Sequence, residues 1–272
     1  MTWQEGPRHK AGAQEAKATP AHSQASRTGH SRTTLTYVSP TACSVIAFDL
    51  DGVLLDADIH FACLNAALAP FGTQISRAEH QSTFDGLPTR VKLALLTESG
   101  RLPHDAHAAV FERKQALTLD ALSHRLENGD DRNRRLFAKV REHGLRTAVV
   151  TNAVRATLNA FIAGDGLDDL VDASVAGDEV AHAKPRPDGY IKAAQLLGVA
   201  PNEMLAVEDN HHGIEAARAA GCRVLVVAGP HTFSASNVLA AAGVTGIGTS
   251  TETGIGTSSG NSSQTSTATP DA

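Results

Sequence analysis

The stretch that decides the fold lies at residues 44–53 and reads Ser44-Val45-Ile46-Ala47-Phe48-Asp49-Leu50-Asp51-Gly52-Val53. Its apolar, β-branched start predicts a buried strand that ends at the glycine. Because side chains alternate along a strand, Asp49 and Asp51 point the same way, toward the edge of a parallel sheet where ligands bind. At about 4 Å and an effective dielectric of about 20, two carboxylates repel by on the order of 4 kcal/mol. The pair therefore predicts a site for Mg²⁺, although two acids after a strand are also typical of a solvated turn.

The composition is that of a globular protein with a sizeable core, since 42% of the 272 residues are hydrophobic and 19% are charged. A formal net charge of -5 argues against a general nucleic-acid-binding protein. No apolar run is long enough to cross a bilayer, so no membrane partner is expected. Cys43, Cys63 and Cys222 lack metal-ligand spacing, which predicts buried thiols and a reducing, cytoplasmic location.

The two ends of the chain differ in composition from its middle. Residues 1–42 are polar and without periodicity, which predicts a disordered extension, with an organelle transit peptide as the alternative. Residues 244–272 are rich in Gly, Ser and Thr, which predicts a low-complexity tail. The folded part is therefore expected at residues 43–243.

Alternating patterns in the folded part predict a Rossmann-like, doubly wound α/β core with a parallel sheet. After the first strand, further short buried strands are expected at 145–151, 170–176, 204–209 and 223–228. The helical patterns between or beside them cover 131–143, 153–163, 188–197 and 213–220.

The interval 56–128 contains no convincing strand, and its helical patterns cover 60–70, 89–97 and 105–126. An all-helical insertion after the first strand, above the ligand edge, is typical of a lid that excludes water. We therefore predict a helical cap at 56–128 and a core formed by 43–55 and 129–243.

Three other predicted strand ends carry residues suited to the same edge. Thr151 and Asn152 precede a helix, where a hydroxyl and free N–H groups suit a phosphate, although both are also ordinary helix caps. Lys184 is held between Ala183 and Pro185 in a stiff loop. The acidic pair at 208–209 follows the fourth strand and supplies further carboxylates for a cation.

Together these pieces resemble the haloacid dehalogenase superfamily of phosphohydrolases, in the branch whose helical cap lies between the first and second motifs, as in phosphoglycolate phosphatase and beta-phosphoglucomutase. The resemblance covers about residues 45–229. The matching motifs are Phe48-Asp49-Leu50-Asp51-Gly52-Val53, Thr151-Asn152, Lys184-Pro185-Arg186-Pro187-Asp188, and Glu208-Asp209-Asn210 with Gly213-Ile214.

The resemblance implies catalytic roles for four side chains. Asp49 would be the nucleophile that forms an aspartyl-phosphate. Asp51 would be the general acid for the leaving alcohol and then the base for water. Thr151, the Asn152 backbone N–H and Lys184 would neutralise the phosphoryl oxygens.

The resemblance also implies a magnesium site. Its ligands would be an Asp49 oxygen, the Asp51 backbone carbonyl and Asp209, with Glu208 bound directly or through water. An aspartate at position 51 favours phosphate over carbon–halogen chemistry, because dehalogenases of this family have no need of that acid.

Substrate choice is expected to depend on the cap. Gly86 and Arg90 lie in a turn that resembles the specificity loop of capped relatives, although a surface helix start explains them equally well. Lys114 resembles one of a basic pair used by sugar-phosphate members. His60 falls one residue short of the spacing of a phosphomutase cap histidine, so a structural role is the alternative. The histidines at 211–212 are expected in a solvated loop without a role.

The leading prediction is a Mg²⁺-dependent phosphatase acting on a small phosphorylated metabolite, with sugar phosphates as one candidate class. One alternative is a phosphomutase of the beta-phosphoglucomutase type. A remote alternative is a non-catalytic binding module with the same fold, which predicts the loss of a catalytic residue. We expect a monomer or a weak homodimer.

Overall fold

A five-stranded parallel sheet forms the centre of the protein, in a computed structural model that describes residues 42–123 and 131–244. Its order is β3-β2-β1-β4-β5, and every neighbouring pair is parallel. The strands are β1 (Val45–Phe48), β2 (Arg146–Val150), β3 (Ala173–Val175), β4 (Met204–Glu208) and β5 (Arg223–Val226). The chain runs outward from β1 to one side and then returns to the other, so the topological switch point lies beside β1.

Helices cover both faces of this sheet, as the alternation along β1 requires. Ile46 and Phe48 pack with α5 (Arg132–Glu142), α6 (Arg155–Gly164) and α9 (Ala235–Ala242) on one face. Val45 and Ala47 pack with α7 (Asp188–Leu197) and α8 (His211–Ala220) on the other. Burial on both faces explains why the strands are continuous apolar runs. The predicted doubly wound α/β core is confirmed.

The described residues between β1 and β2 form helices joined by loops, with no strand among them. The elements of this helical segment are α1 (Ala57–Leu68), α2 (Arg77–Glu79), which continues into a π-helical turn (His80–Phe84), α3 (Thr89–Glu98) and α4 (His107–Ser123). It has an apolar cluster of its own, which includes Leu64, Leu68, Phe84, Leu93 and Val110. The domain boundaries at 56 and 128 stay predictions, and residue 128 lies outside the described part of the chain.

Some element limits differ from those that the sequence predicts. The structure places His211 and His212 in the first turn of α8, with ring centroids 3.8 Å apart, so the expectation of a solvated loop there is wrong. The helix begins early because the Asn210 side chain accepts from the Gly213 N–H at 3.1 Å and so caps it. Helices α2 and α9 were not expected. The predicted extension and tail, and the end of the helix predicted to reach 126, fall on residues that are not described.

One expectation from composition is met in the described residues. All three cysteines are buried and free. Between 42 and 123 and between 131 and 244, the helices are too short or too polar to cross a membrane.

Candidate active site

A cavity of about 60 Å³ lies where the strands end at the switch point. The sheet side contributes Asp49, Asp51, Thr151, Asn152 and Lys184. The helical segment covers the cavity from the opposite side, and the lining residues from there include His60, His80, Gly86, Lys92 and Lys114. All four predicted motifs therefore contribute to this edge, the fourth through Asn210. This is expected because parallel strands end at the same edge of a sheet.

Lys184 links the strand ends by hydrogen bonds. Its Nζ donates to Asp49 Oδ1 at 2.9 Å, to the Val150 carbonyl at 2.8 Å and to Glu208 Oε1 at 2.6 Å. Burial disfavours the charged ammonium, but Asp49 and Glu208 outweigh that effect and raise the pKa of Lys184. The lysine is therefore a cation that neutralises part of the negative charge at this edge.

Asp49 lies at the centre of this charge network. Its burial raises the pKa of the carboxyl above the ordinary value, with a further increase from the charge of Asp51, while Lys184 lowers it. An almost fully buried carboxylate with one lysine partner is held in a fixed position and has lost most of its water. Such a group is suited to act as a nucleophile.

Three carboxylates at this edge form a candidate metal centre. One oxygen each from Asp49, Glu208 and Asp209 lies within 4.8 Å of the others. Burial, and after it the charge of Asp49, raises the pKa of Glu208 to about 8 and that of Asp209 to about 7. The crowding of acids that repel one another, all with hard oxygen donors, fits Mg²⁺. Glu208 Oε1 already accepts from Lys184 and from the Tyr190 hydroxyl, which leaves Asp209 more available for direct ligation.

Gly52 lets the Asp209 carboxylate approach the first motif. A Cβ at position 52 would lie 1.8 Å from Asp209 Oδ2, and the glycine has φ +82°, a conformation that L side chains rarely adopt. Position 52 therefore requires glycine for two reasons: a side chain there would collide with Asp209, and the backbone has a positive φ.

Asp51 faces the helical segment, where His60 Nε2 lies 2.8 Å from its Oδ1, close but not aligned as a hydrogen bond. His60 Nδ1 in turn lies 2.8 Å from Lys114 Nζ. Burial by itself raises the pKa of Asp51, but the charge of His60 and then that of Lys114 bring it below its ordinary value. Lys114 therefore lines the cavity and His60 lies beside Asp51, and the roles of both stay predictions.

Thr151 and Asn152 connect the sheet edge with the cap loop. The Asn152 side chain donates to the Gly86 carbonyl at 2.8 Å and accepts from the Lys184 N–H at 2.9 Å. The Thr151 hydroxyl accepts from the Ala153 N–H at 3.0 Å and faces the cavity. Gly86 packs so closely that a Cβ there would lie 2.6 Å from Asn210 Oδ1.

Three predicted site residues do not line this cavity: Glu208 and Asp209, which lie beside Asp49, and Arg90. The Arg90 guanidinium stacks on Phe111, 4.5 Å from the ring centroid, and lines a neighbouring cavity with Gln115 and Thr157. Lys114 and Asn152 line both cavities, so the two are adjacent. A role of Arg90 in substrate binding stays a prediction.

Lys92 and His80 belong to the cavity, although sequence reasoning did not assign them a role there. Lys92 Nζ lies 3.4 Å from His80 Nε2, and both residues are buried. The available signal was the position of Lys92 on the stripe of α3 that also carries Leu93 and Leu96. A lysine on an apolar stripe points into the protein rather than into solvent.

The fold and this edge define an α/β enzyme with a carboxylate- and lysine-lined site at the end of a parallel sheet. Residues 46–227 match the family model of the haloacid dehalogenase-like hydrolases, and the chain belongs to that family.

Relatives cover most of the described chain. CbbY of Rhodobacter capsulatus is 31% identical over 208 residues, 71% of this chain and 90% of that protein. The fructose-1-phosphate phosphatase YqaB of Escherichia coli K12 is 34% identical over 183 residues, 65% of this chain and 92% of that protein. The crystal structure of CbbY from Rhodobacter sphaeroides in complex with phosphate is similar with a TM-score of 0.58 and 29% identity, covering 70% of this chain and 88% of that one. The chain is thus an enzyme of a hydrolase family whose relatives include named phosphatases.

Proposed function

We propose that this protein is a Mg²⁺-dependent phosphatase that hydrolyses a small phosphorylated metabolite through an aspartyl-phosphate on Asp49. The observation that carries the proposal is the pairing of the buried Asp49 with Lys184, while Asp51 faces the helical segment. Attack on phosphorus needs a desolvated carboxylate, and the leaving group needs an acid on the opposite side. The family and a relative named a fructose-1-phosphate phosphatase support the same reaction class.

In the first step Asp49 attacks phosphorus and the bond from phosphorus to the substrate oxygen breaks. Asp51 gives a proton to that oxygen, so the alcohol leaves neutral. The pKa of Asp51 is low in the substrate-free protein, and an arriving phosphate dianion raises it by like-charge repulsion. Lys184, the Thr151 hydroxyl and the Asn152 N–H bind the phosphoryl oxygens as charge develops on them.

In the second step Asp51 takes a proton from a water molecule, which attacks phosphorus and releases inorganic phosphate from Asp49. The helical segment excludes bulk water during the first step, and Gly86 and Lys114 contact the rest of the substrate. Arg90, which lines the neighbouring cavity, is assigned to binding the end of the substrate that lies farthest from the phosphoryl group.

Asp49, Asp209 and the Asp51 backbone carbonyl would hold the magnesium ion, with Glu208 bound directly or through water. Glu208 Oε1 accepts from Lys184 and Tyr190, whereas its buried Oε2 has no hydrogen-bond partner among the described residues. When bound, Mg²⁺ supplies positive charge that neutralises the acids and the phosphoryl oxygens. A cytoplasmic location and a monomer or weak homodimer complete the proposal.

The decisive experiment measures phosphate release from a panel of sugar, nucleotide and short-acid phosphates, with Mg²⁺ and then with a chelator. Wild-type protein should release phosphate only with the metal, and Asp49→Asn should lower turnover by at least about a thousandfold. A folded Asp49→Asn protein that keeps a near wild-type rate would contradict the mechanism.

A sugar phosphomutase is the second candidate, favoured by the position of His60 between Asp51 and Lys114. A mutase returns the phosphoryl group from Asp49 to the substrate instead of to water. Interconversion of hexose phosphates without release of phosphate would therefore select the mutase. The binding module predicts the loss of a catalytic residue, and the chain keeps Asp49, Asp51, Thr151 and Lys184.

A further inference from the structure

The cap side of the cavity contains two buried lysines on different helices. Lys92 on α3 and Lys114 on α4 are each only 8% exposed, and both line the cavity above Asp51. Long cationic side chains usually extend their charged ends into solvent. Here both ammonium groups are directed inward instead.

Each of these lysines has a histidine as its hydrogen-bonding neighbour. Lys92 Nζ lies 3.4 Å from His80 Nε2, and Lys114 Nζ lies 2.8 Å from His60 Nδ1. Burial lowers the pKa of His80 to about 4, so this imidazole is neutral near neutral pH and only accepts a hydrogen bond. It therefore stabilises the position of Lys92 without cancelling its charge.

The lysines also lack carboxylate partners at contact distance. Across 42–123 and 131–244, neither forms an ion pair with an acid. Asp51 acts on both lysines, and Asp85 acts on Lys92, only as a more distant charge. Burial, together with the neighbouring ammonium of Lys114, lowers the pKa of Lys92 to about 8. Two buried cations facing one cavity are costly unless an anion enters between them.

The phosphoryl group that reacts is not the anion that would bind between Lys92 and Lys114. On the sheet side it has its own cation, Lys184, whose Nζ is bound to Asp49 and Glu208. Asp51 separates this position from the two cap lysines, because His60 on its cap side leads to Lys114. A second anion at the cap lysines would thus lie on the leaving-group side of the substrate.

We propose that Lys92 and Lys114 bind a second anionic group, phosphate or carboxylate, so that the preferred substrate is a small phosphate ester with an anion at both ends. This inference rests on the proposed phosphatase function and assigns its substrate class. Lys92 is the specificity-determining residue, since Lys114 also contacts His60 and its loss would disturb the neighbour of Asp51.

The test compares phosphate esters in matched pairs that differ only in the second anion. The first pair is 2-phosphoglycolate and 2-hydroxyethyl phosphate, and the second is fructose 1,6-bisphosphate and fructose 1-phosphate. Wild-type kcat/KM should favour the doubly anionic member of at least one pair by about tenfold or more. The pair that shows the preference distinguishes a carboxylate from a phosphate as the second group.

Lys92→Met keeps the length of the side chain and removes its charge. It should abolish the preference, because a higher KM lowers kcat/KM for the doubly anionic ester by about tenfold more than for the singly anionic partner. The matched control is Lys139→Met, because Lys139 is exposed on α5 and paired with Glu142, and its preference should equal that of the wild type.

Two results would overturn the inference: no wild-type preference within either pair, or equal losses on both members in Lys92→Met. If wild-type protein released phosphate from none of the esters, the proposed function would fail instead. Calorimetric binding of the same pairs to Asp49→Asn protein, which needs no turnover, then decides whether the second-anion site exists. Tighter binding of the doubly anionic member, lost in the Asp49→Asn, Lys92→Met double variant, supports it, and equal affinities refute it.

Discussion

At the scale of single residues, burial and neighbouring charges shift the pKa values of two aspartates that are two positions apart in opposite directions, upward for Asp49 and downward for Asp51. Asp49 contacts the ammonium of Lys184 and sits in a fully buried position, whereas Asp51 faces His60 and the cap lysines. Both residues follow the end of β1 and line the same cavity, where their neighbours differ. One group is thereby suited to attack phosphorus and the other to transfer protons.

If Asp51 acts first as a general acid and then as a general base, the behaviour of Asp51→Asn can be predicted. The amide cannot take a proton from water, so the aspartyl-phosphate on Asp49 should accumulate, and turnover should fall by about a hundred- to ten-thousandfold. With p-nitrophenyl phosphate, whose leaving group needs no acid, the first step should remain fast. Intact-protein mass spectrometry checks this, with Asp49→Asn as the control that cannot be phosphorylated. A slow first step with no phosphorylated protein would contradict the assignment.

At the scale of elements, the loop between the π-helical turn and α3 joins the cap to the sheet edge. Its Gly86 carbonyl accepts from Asn152, and its backbone packs against Asn210, which caps α8. One loop thus contacts residues that follow β2 and β4, the two strands that flank β1. The position of this loop therefore sets how closely the cap approaches the phosphate site.

Gly86→Ala tests that role of the loop. The added Cβ would lie 2.6 Å from Asn210 Oδ1 at φ +69°, so the loop must move away from the sheet. We expect kcat/KM for phosphate release to fall by about tenfold to a hundredfold, since misplacement by about 1 Å has that effect. Gly100→Ala is the matched control, because it has φ +71° in the same helical segment but no neighbouring atom within 4 Å. Equal losses in both variants would indicate backbone strain alone.

At the scale of the whole molecule, the sheet brings together acids that are far apart in sequence. Asp49 ends β1 while Glu208 and Asp209 end β4, and the pairing of these strands creates the three-carboxylate cluster. Burial, and after it repulsion by the charge of Asp49, raises the pKa of Asp209 to about 7 and that of Glu208 to about 8. The fold therefore holds protons at this edge until a cation replaces them.

Magnesium affinity should consequently depend on pH. Below about pH 7 the metal must displace a proton, so its dissociation constant should fall by about tenfold per pH unit on going from about pH 5.5 to about pH 7. Because the folded pKa values exceed the unfolded ones, the stability these groups contribute is lost as pH rises through 7 to 8 in metal-free protein. Mg²⁺ should therefore raise the melting temperature more at about pH 8 than at about pH 6. Calorimetry and thermal melts check both, and an affinity independent of pH would contradict the cluster.

Much of the fold and the sheet side of the site followed from local pattern. The apolar runs predicted every strand of the described sheet, and α7 was predicted at its observed limits. The short helix α2 and the C-terminal α9 were missed because neither has a long periodic stretch. His211 and His212 were misplaced because the capping side chain of Asn210, rather than their own polarity, starts the helix.

The sequence alone determined the parallel α/β core and the meeting of Asp49, Thr151, Lys184 and the acids at 208–209, because each follows a strand and parallel strands end at one edge. Tertiary structure decided the cap side of the cavity. Whether Lys92, His80 and His60 face solvent or the catalytic edge depends on how the cap helices pack over the sheet. A local pattern cannot encode that packing, since the same lysine spacing suits a solvated surface or a buried anion site equally well.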